Sequence, residues 1–107
     1  MDLDVAFERV GTASENEDSA EIAFDSGAVL VEGVLSDQGG CGVTDLRELV
    51  LADGELRVGL DRITDPEEPV CAAVISPTAY RASVRPSKPV DAVTVEHHGE
   101  RTARSTR

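Results

Sequence analysis

Alternation with a period of two runs through most of this chain, and it limits what the chain can fold into. In "LDVAF", Leu3, Val5 and Phe7 fall on one face and Asp4 and Glu8 on the other. In "AEIAFD", Ala20, Ile22 and Phe24 share a face opposite Glu21 and Asp25. Successive side chains of a strand point to opposite faces, so this pattern buries one side of a sheet; a helix would need apolar residues three and four apart. "AVLVEGVL" is apolar on both faces, with Val29, Val31 and Leu35 against Leu30 and Val34, as a strand inside a sheet requires. Further on, "YRASV" and "VDAVTVEH" alternate again, the latter placing Val93, Val95 and His97 together.

Turn residues punctuate these runs about every ten residues. "DSG" at 25–27 reads as a tight turn, and Asp53-Gly54 as a two-residue hairpin, because both positions tolerate positive φ. The fold class expected is all-β: a single antiparallel β-sandwich or barrel-like domain of about seven strands. One stretch departs from the pattern. In "TDLRELVL", Leu46, Leu49 and Val50 sit at helical spacing, which allows a short helix near 44–50. The core expected comprises Leu3, Val5, Phe7, Ile22, Phe24, Val29, Val31, Leu56, Val58, Leu60, Tyr80, Val84, Val93 and Val95. With 107 residues, one domain over 1–99 is expected, followed by a flexible Arg-rich tail over 100–107. "GTASENEDS" is also expected to be flexible. No apolar run is long enough for a membrane span. The N-terminus "MDLDVAFERV" is acidic and alternating, unlike a leader peptide. The compartment expected is cytoplasmic for a full-length chain and extracytoplasmic if a leader has been removed.

Charge excludes whole classes of partner. Twenty-one acids against ten bases give a formal net charge of −11. Three of the bases, Arg101, Arg104 and Arg107, lie in the last eight residues, so the body is more acidic still. Nucleic acid and anionic membrane are bound largely through Lys and Arg, so neither is an expected partner. Nine of the bases are Arg and only Lys88 is Lys. Such a balance, with plentiful Ala, Val and Gly, suggests adaptation to high salt, where the Debye length shrinks to about 3 Å at 1 M. The plainer alternative is an acidic protein with a solvated face.

Cys41 and Cys71 are the only cysteines, thirty positions apart and without C-x-x-C spacing. Each adjoins a loop at a strand edge, positions that can meet across a sandwich. Three readings stand: a disulfide, two buried thiols, or metal or redox work. The disulfide Cys41–Cys71 is the one expected, worth about 3–4 kcal/mol on the chain-entropy model. His97 and His98 are the candidate metal ligands, although neighbours on a strand face opposite ways. The acidic runs Glu15-Glu17-Asp18 and Asp65-Glu67-Glu68 lack calcium-loop spacing. "GVLSDQGG" lacks a nucleophile elbow, and the glycines 39, 40 and 42 lack the lysine of a phosphate loop. No cofactor and no catalytic residue are expected.

The succession "VLVEGVLSDQGGCGVTDL", "LADGELRVGL", "CAAVISPTAYRASV" and "VDAVTVEHHG" resembles a group of short, acidic, haloarchaeal β-rich proteins with a two-cysteine pattern. The likeness covers about residues 20–99 and rests on Gly33, Cys41, Leu56, Val58, Cys71, Tyr80, Ala82, Val93, Val95 and His97. That group carries no established activity, so the resemblance implies a fold and a salt habit only. The function expected is that of a non-catalytic module binding a protein partner. The alternative is a small metal-binding or thiol-redox protein using Cys41, Cys71 and His97.

Overall fold

The computed structural model describes residues 3–37, 42–64 and 76–107, Leu3 as backbone only. Eight strands and no helix are present among them: β1 (Leu3–Thr12), β2 (Ser19–Asp25), β3 (Ala28–Leu35), β4 (Val43–Ala52), β5 (Glu55–Ile63), β6 (Thr78–Pro86), β7 (Ala92–His97) and β8 (Glu100–Thr106). They form two four-stranded sheets, ordered β1-β6-β3-β2 and β4-β5-β7-β8. At the sheet margins β1 lies against β4 and β2 against β8, so the two sheets stack as a sandwich. The all-β expectation therefore stands.

Three hairpins use left-handed two-residue turns. Ser26-Gly27 (φ 48° and 85°) and Asp53-Gly54 (φ 52° and 79°) occupy the positions read from the sequence. The third, His98-Gly99 (φ 53° and 81°), links β7 to β8. Segment 100–107, expected as a flexible tail, is thus folded as the edge of the second sheet. Its composition looked like a tail because β8 buries little, and His-Gly is a less familiar turn pair than Asp-Gly.

The stretch near 44–50 is strand, not helix. A bulge at Arg47 makes Leu46 pair with Leu60 and Glu48 with Gly59. The extra residue stretches the spacing of inward side chains from two to three, so Leu46 and Leu49 imitate a helical stripe. One pairing, β5 with β7, is parallel, which the purely antiparallel reading missed. After β5 the chain crosses to the first sheet, returns along β6 and re-enters the second sheet from the end where β5 began. β7 must then run alongside β5 in the same direction.

Two ends of the sandwich result. The turn end carries Ser26-Gly27, Asp53-Gly54 and segment 87–91. The loop end carries segment 13–18, which crosses from one edge of the first sheet to the other, the described residues 36–37, 42, 64 and 76–77 that flank the changes of sheet, and the His98-Gly99 turn.

Between the sheets lie Val29, Val31, Leu35, Leu56, Val58, Leu60, Tyr80, Ala82, Val84, Val90, Val93 and Val95. Phe7, Ile22 and Phe24 pack against this core but stay half-exposed, and Val5 is 36% exposed. All four were expected inside. They sit on the edge strands β1 and β2, where no neighbouring strand covers one flank. Gly33 faces Tyr80 across the β3–β6 ladder. A Cβ there would stand 2.1 Å from the Ser19 carbonyl oxygen and 2.9 Å from the Tyr80 hydroxyl, so only glycine fits.

Candidate functional site

Among the described residues, the loop end gathers Ser36, Asp37, Thr44 and His97, four of the five buried polar residues, and most of the hydrogen bonds there form two systems. The first joins both histidines. His97 ends β7 pointing inward, 2% exposed, and its Nε2 lies 2.6 Å from the hydroxyl of Tyr80 on β6. Its Nδ1 lies 3.0 Å from Asp18 Oδ1, just before β2. Tyr80 can donate to Nε2 only if that nitrogen is bare, so the proton sits on Nδ1 and is given to Asp18. Asp18 also accepts from the Ser36 backbone N–H at 2.9 Å and from Ser36 Oγ–H at 2.8 Å.

These contacts set the protonation of each group. Burial favours the neutral imidazole and lowers the His97 pKa, with the nearby Asp18 carboxylate pulling the other way and His98 adding to the lowering. Burial opposes ionisation of Asp18, but the Ser36 amide, the Ser36 hydroxyl and His97 together outweigh it and hold the carboxyl below its ordinary range. Tyr80 is pushed well above the usual phenol value by burial, and the Asp18 charge adds to this.

His98 follows a different logic. Its left-handed φ of 53° takes it out of strand geometry, so its ring returns to the same cluster instead of the opposite face. Nδ1 lies 3.0 Å from Asp61 Oδ1 and Nε2 lies 2.9 Å from the Ser36 carbonyl oxygen. Both neighbours are acceptors, so a proton on either nitrogen has a fixed place to go. Burial acts against the Asp61 charge, yet the Arg62 amide, His98 and Arg47 hold its pKa down.

Ser36 Oγ lies 3.4 Å from His98 Nε2, and His98 meets Asp61, so Ser36, His98 and Asp61 have the outline of a Ser–His–Asp triad. The protons run the wrong way for nucleophile activation. A general base needs a bare Nε2 to accept from Oγ–H, whereas this Nε2 faces a carbonyl and the Ser36 proton goes to Asp18. Tyr80, similarly linked through His97 to Asp18, is only 2% exposed, so its hydroxyl does not meet solvent.

The second system is centred on Asp37 and Arg62. Asp37, 3% exposed, accepts from the Ser76 N–H at 2.8 Å and pairs with Arg62 at 3.4 Å. Its backbone is held on both sides by the Asn16 amide, at 2.7 and 3.0 Å. Arg62 also donates to the carbonyls of Gly42, at 3.2 Å, and Ser76, at 2.9 Å. Across the sheets, the hydroxyls of Thr44 and Thr78 meet at 2.9 Å and Arg9 donates to the Thr44 carbonyl at 2.7 Å.

Segment 13–18, expected to be flexible, is therefore anchored through Asn16 and Asp18, because it must cross the loop end from one edge of its sheet to the other. Of the residues singled out from sequence, His97 and His98 are brought together and engaged at every ring nitrogen. Cys41, Cys71 and the Asp65-Glu67-Glu68 run lie outside the described residues. Among the described residues, no group of three or more His, Cys, Asp or Glu is arranged to hold a metal ion. No helix there is long and apolar enough to cross a membrane. Ser36, Asp37, Asp61 and Arg62 escaped sequence reading. The available signal was polar residues where the apolar run of a strand gives out, "LSD" just past β3 and "LDR" near the end of β5, where loop anchors belong.

Comparison with protein-family models, with curated proteins and with solved structures finds no match for this chain.

Proposed function

We propose that the protein is a non-catalytic binding module: the β-sandwich is a rigid frame and the loop end meets a protein partner. The observation that supports this best is the direction of the protons at the loop end. Each histidine nitrogen and the Ser36 hydroxyl is committed to a fixed partner, which suits immobilised loops and does not suit proton transfer. A loop surface ordered in advance loses little entropy on association.

The test places a photo-crosslinking residue at exposed Glu17 on the loop end or at exposed Ser87 on the turn end. A partner trapped from Glu17, absent from Ser87 and displaced by excess unlabelled protein, supports the reading. Equal labelling from both ends, or none that unlabelled protein displaces, overturns it.

The metal or thiol-redox alternative, built on Cys41, Cys71 and His97, requires a His97 nitrogen to leave Tyr80 or Asp18. We propose instead a disulfide between Cys41 and Cys71. Its support is that one guanidinium, Arg62, holds Gly42 and Ser76, which border the two segments that carry the cysteines. Thiol titration of unfolded protein with metal analysis separates the readings. No titratable thiol and no metal favours the disulfide; two thiols and stoichiometric metal favour the alternative.

A further inference from the structure

The turn end, opposite the loop surface, holds a cleft of about 500 Å³, within the size range of small-molecule sites. It opens between the Ser26-Gly27 turn, segment 86–90 and Arg107. Its inner wall is apolar: Phe24 is half-buried, and Val29 and Val90 are 2% and 3% exposed. Its charged lining is Lys88, the only lysine of the chain, with Arg107 and one acid, Asp25. Those three side chains sum to +1 in a molecule of net charge −11. Arg85, donating to the Ser26 carbonyl at 3.4 Å, adds a further cation beside it.

These cations also have no acidic partner among the described residues, a state they share among the ten bases with Arg9 and Arg101, but only they stand together at one cleft. Arg47, Arg57, Arg62, Arg81 and Arg104 each have a carboxylate within 4 Å. Among the described residues Lys88, Arg85 and Arg107 have none, although acids outnumber bases two to one. An apolar floor beneath unpaired cations is complementary to a molecule with an apolar body and an anionic head. We infer that this cleft binds a small hydrophobic carboxylate, its body against Phe24, Val29 and Val90 and its carboxylate at Lys88 and Arg107. The site is independent of the loop surface proposed above.

The test is an amide NMR titration of the whole chain in about 0.3 M KCl, where the Debye length of roughly 6 Å relieves long-range surface repulsion but leaves a contact ion pair its attraction. The probes are phenylacetate, its neutral isostere phenylacetamide, and acetate. Saturable shifts confined to 24–29, 86–90 and Arg107 are expected with phenylacetate. Phenylacetamide should bind about fivefold more weakly, the scale of one exposed ion pair, and acetate should not saturate. Lys88→Glu, at an exposed position, should abolish the preference for phenylacetate over phenylacetamide while the remaining spectrum is unchanged. Ser87→Trp, which fills the mouth from another exposed position, should weaken both aromatic probes. Equal affinity for acid and amide, shifts spread over other arginines such as Arg101, or no saturation would overturn the assignment.

Discussion

His97 is the residue on which the interior depends most, because it is polar, buried and satisfied only by one arrangement of protons. Tyr80→Phe keeps the ring and removes the donor, leaving Nε2 buried without a partner. We expect a loss of about 1–3 kcal/mol, the usual cost of an orphaned buried group, read from denaturant unfolding in high salt. An unchanged midpoint would mean that water replaces the hydroxyl. The same contacts define a pH profile. The His97 pKa is lowered on folding, so its contribution is complete above about 6.5 and is lost as pH falls through that value towards the folded one. Asp18 and Asp61 are also lowered, so theirs is complete above about 3.9 and lost below it. Tyr80 is raised, so its contribution is complete below about 10 and lost as pH rises further. Thermal melts in molar salt should therefore show a plateau between roughly pH 6.5 and 10, and Tyr80→Phe should remove the Tyr80 part of the alkaline decline. Stability that rises steadily below pH 6.5 in that medium would contradict the buried neutral His97.

At the scale of elements, Gly33 and β8 are the two places where one change tests the packing. Gly33→Ala drives a methyl into the Ser19 carbonyl of β2, a backbone atom that cannot swing aside. A loss of about 3 kcal/mol or more is expected, and Tyr80→Phe should rescue little of it because the nearer clash remains. Deleting 100–107 should lower the melting midpoint by at least about 10 °C, since it strips the ladder from β7 and uncovers the flank of Val93 and Val95. A silent deletion would mean that β8 is not integral. These elements also mark how much was legible. Alternation exposed the inner strands β6 and β7, a run apolar on both faces exposed β3, and Asp53-Gly54 gave its turn, because each signal is local. The bulge at Arg47 was hidden, since an inserted residue turns a spacing of two into three. β8 was hidden because an edge strand has few side chains to bury. The polar loop end was hidden for a third reason: Asp18, Ser36, Asp61 and His98 are far apart in sequence and meet only once both sheets are stacked.

At the scale of the whole molecule, the acids are distributed so that pairing cannot neutralise them. On the outer face of the first sheet, Arg81 lies between Glu8 and Glu32, at 3.8 and 3.0 Å, and Glu21 stands beside Glu32 in the ladder. One cation thus serves a row of three acids. Among the described residues, Glu15, Glu17, Glu21, Asp25, Asp45, Asp53 and Glu100 have no cation within 4 Å. Folding brings these charges closer than the expanded chain would, and a domain of this size has only about 5–10 kcal/mol of net stability to set against the repulsion. Acid is a poor remedy, because lowering the pH to neutralise carboxylates also crosses the range where burial of neutral His97 becomes costly. Salt screens the surface and leaves the buried network intact, since buried pairs are screened much less. The melting midpoint at pH 7 should therefore rise by about 10 °C or more between about 0.05 M and 2 M KCl, as the Debye length falls from about 14 Å to near 2 Å. Acidification in low salt should give a smaller gain that reverses as the pH falls below about 6. A midpoint independent of salt would mean that the acidity serves solubility alone, and the proposed adaptation to high salt would fall with it.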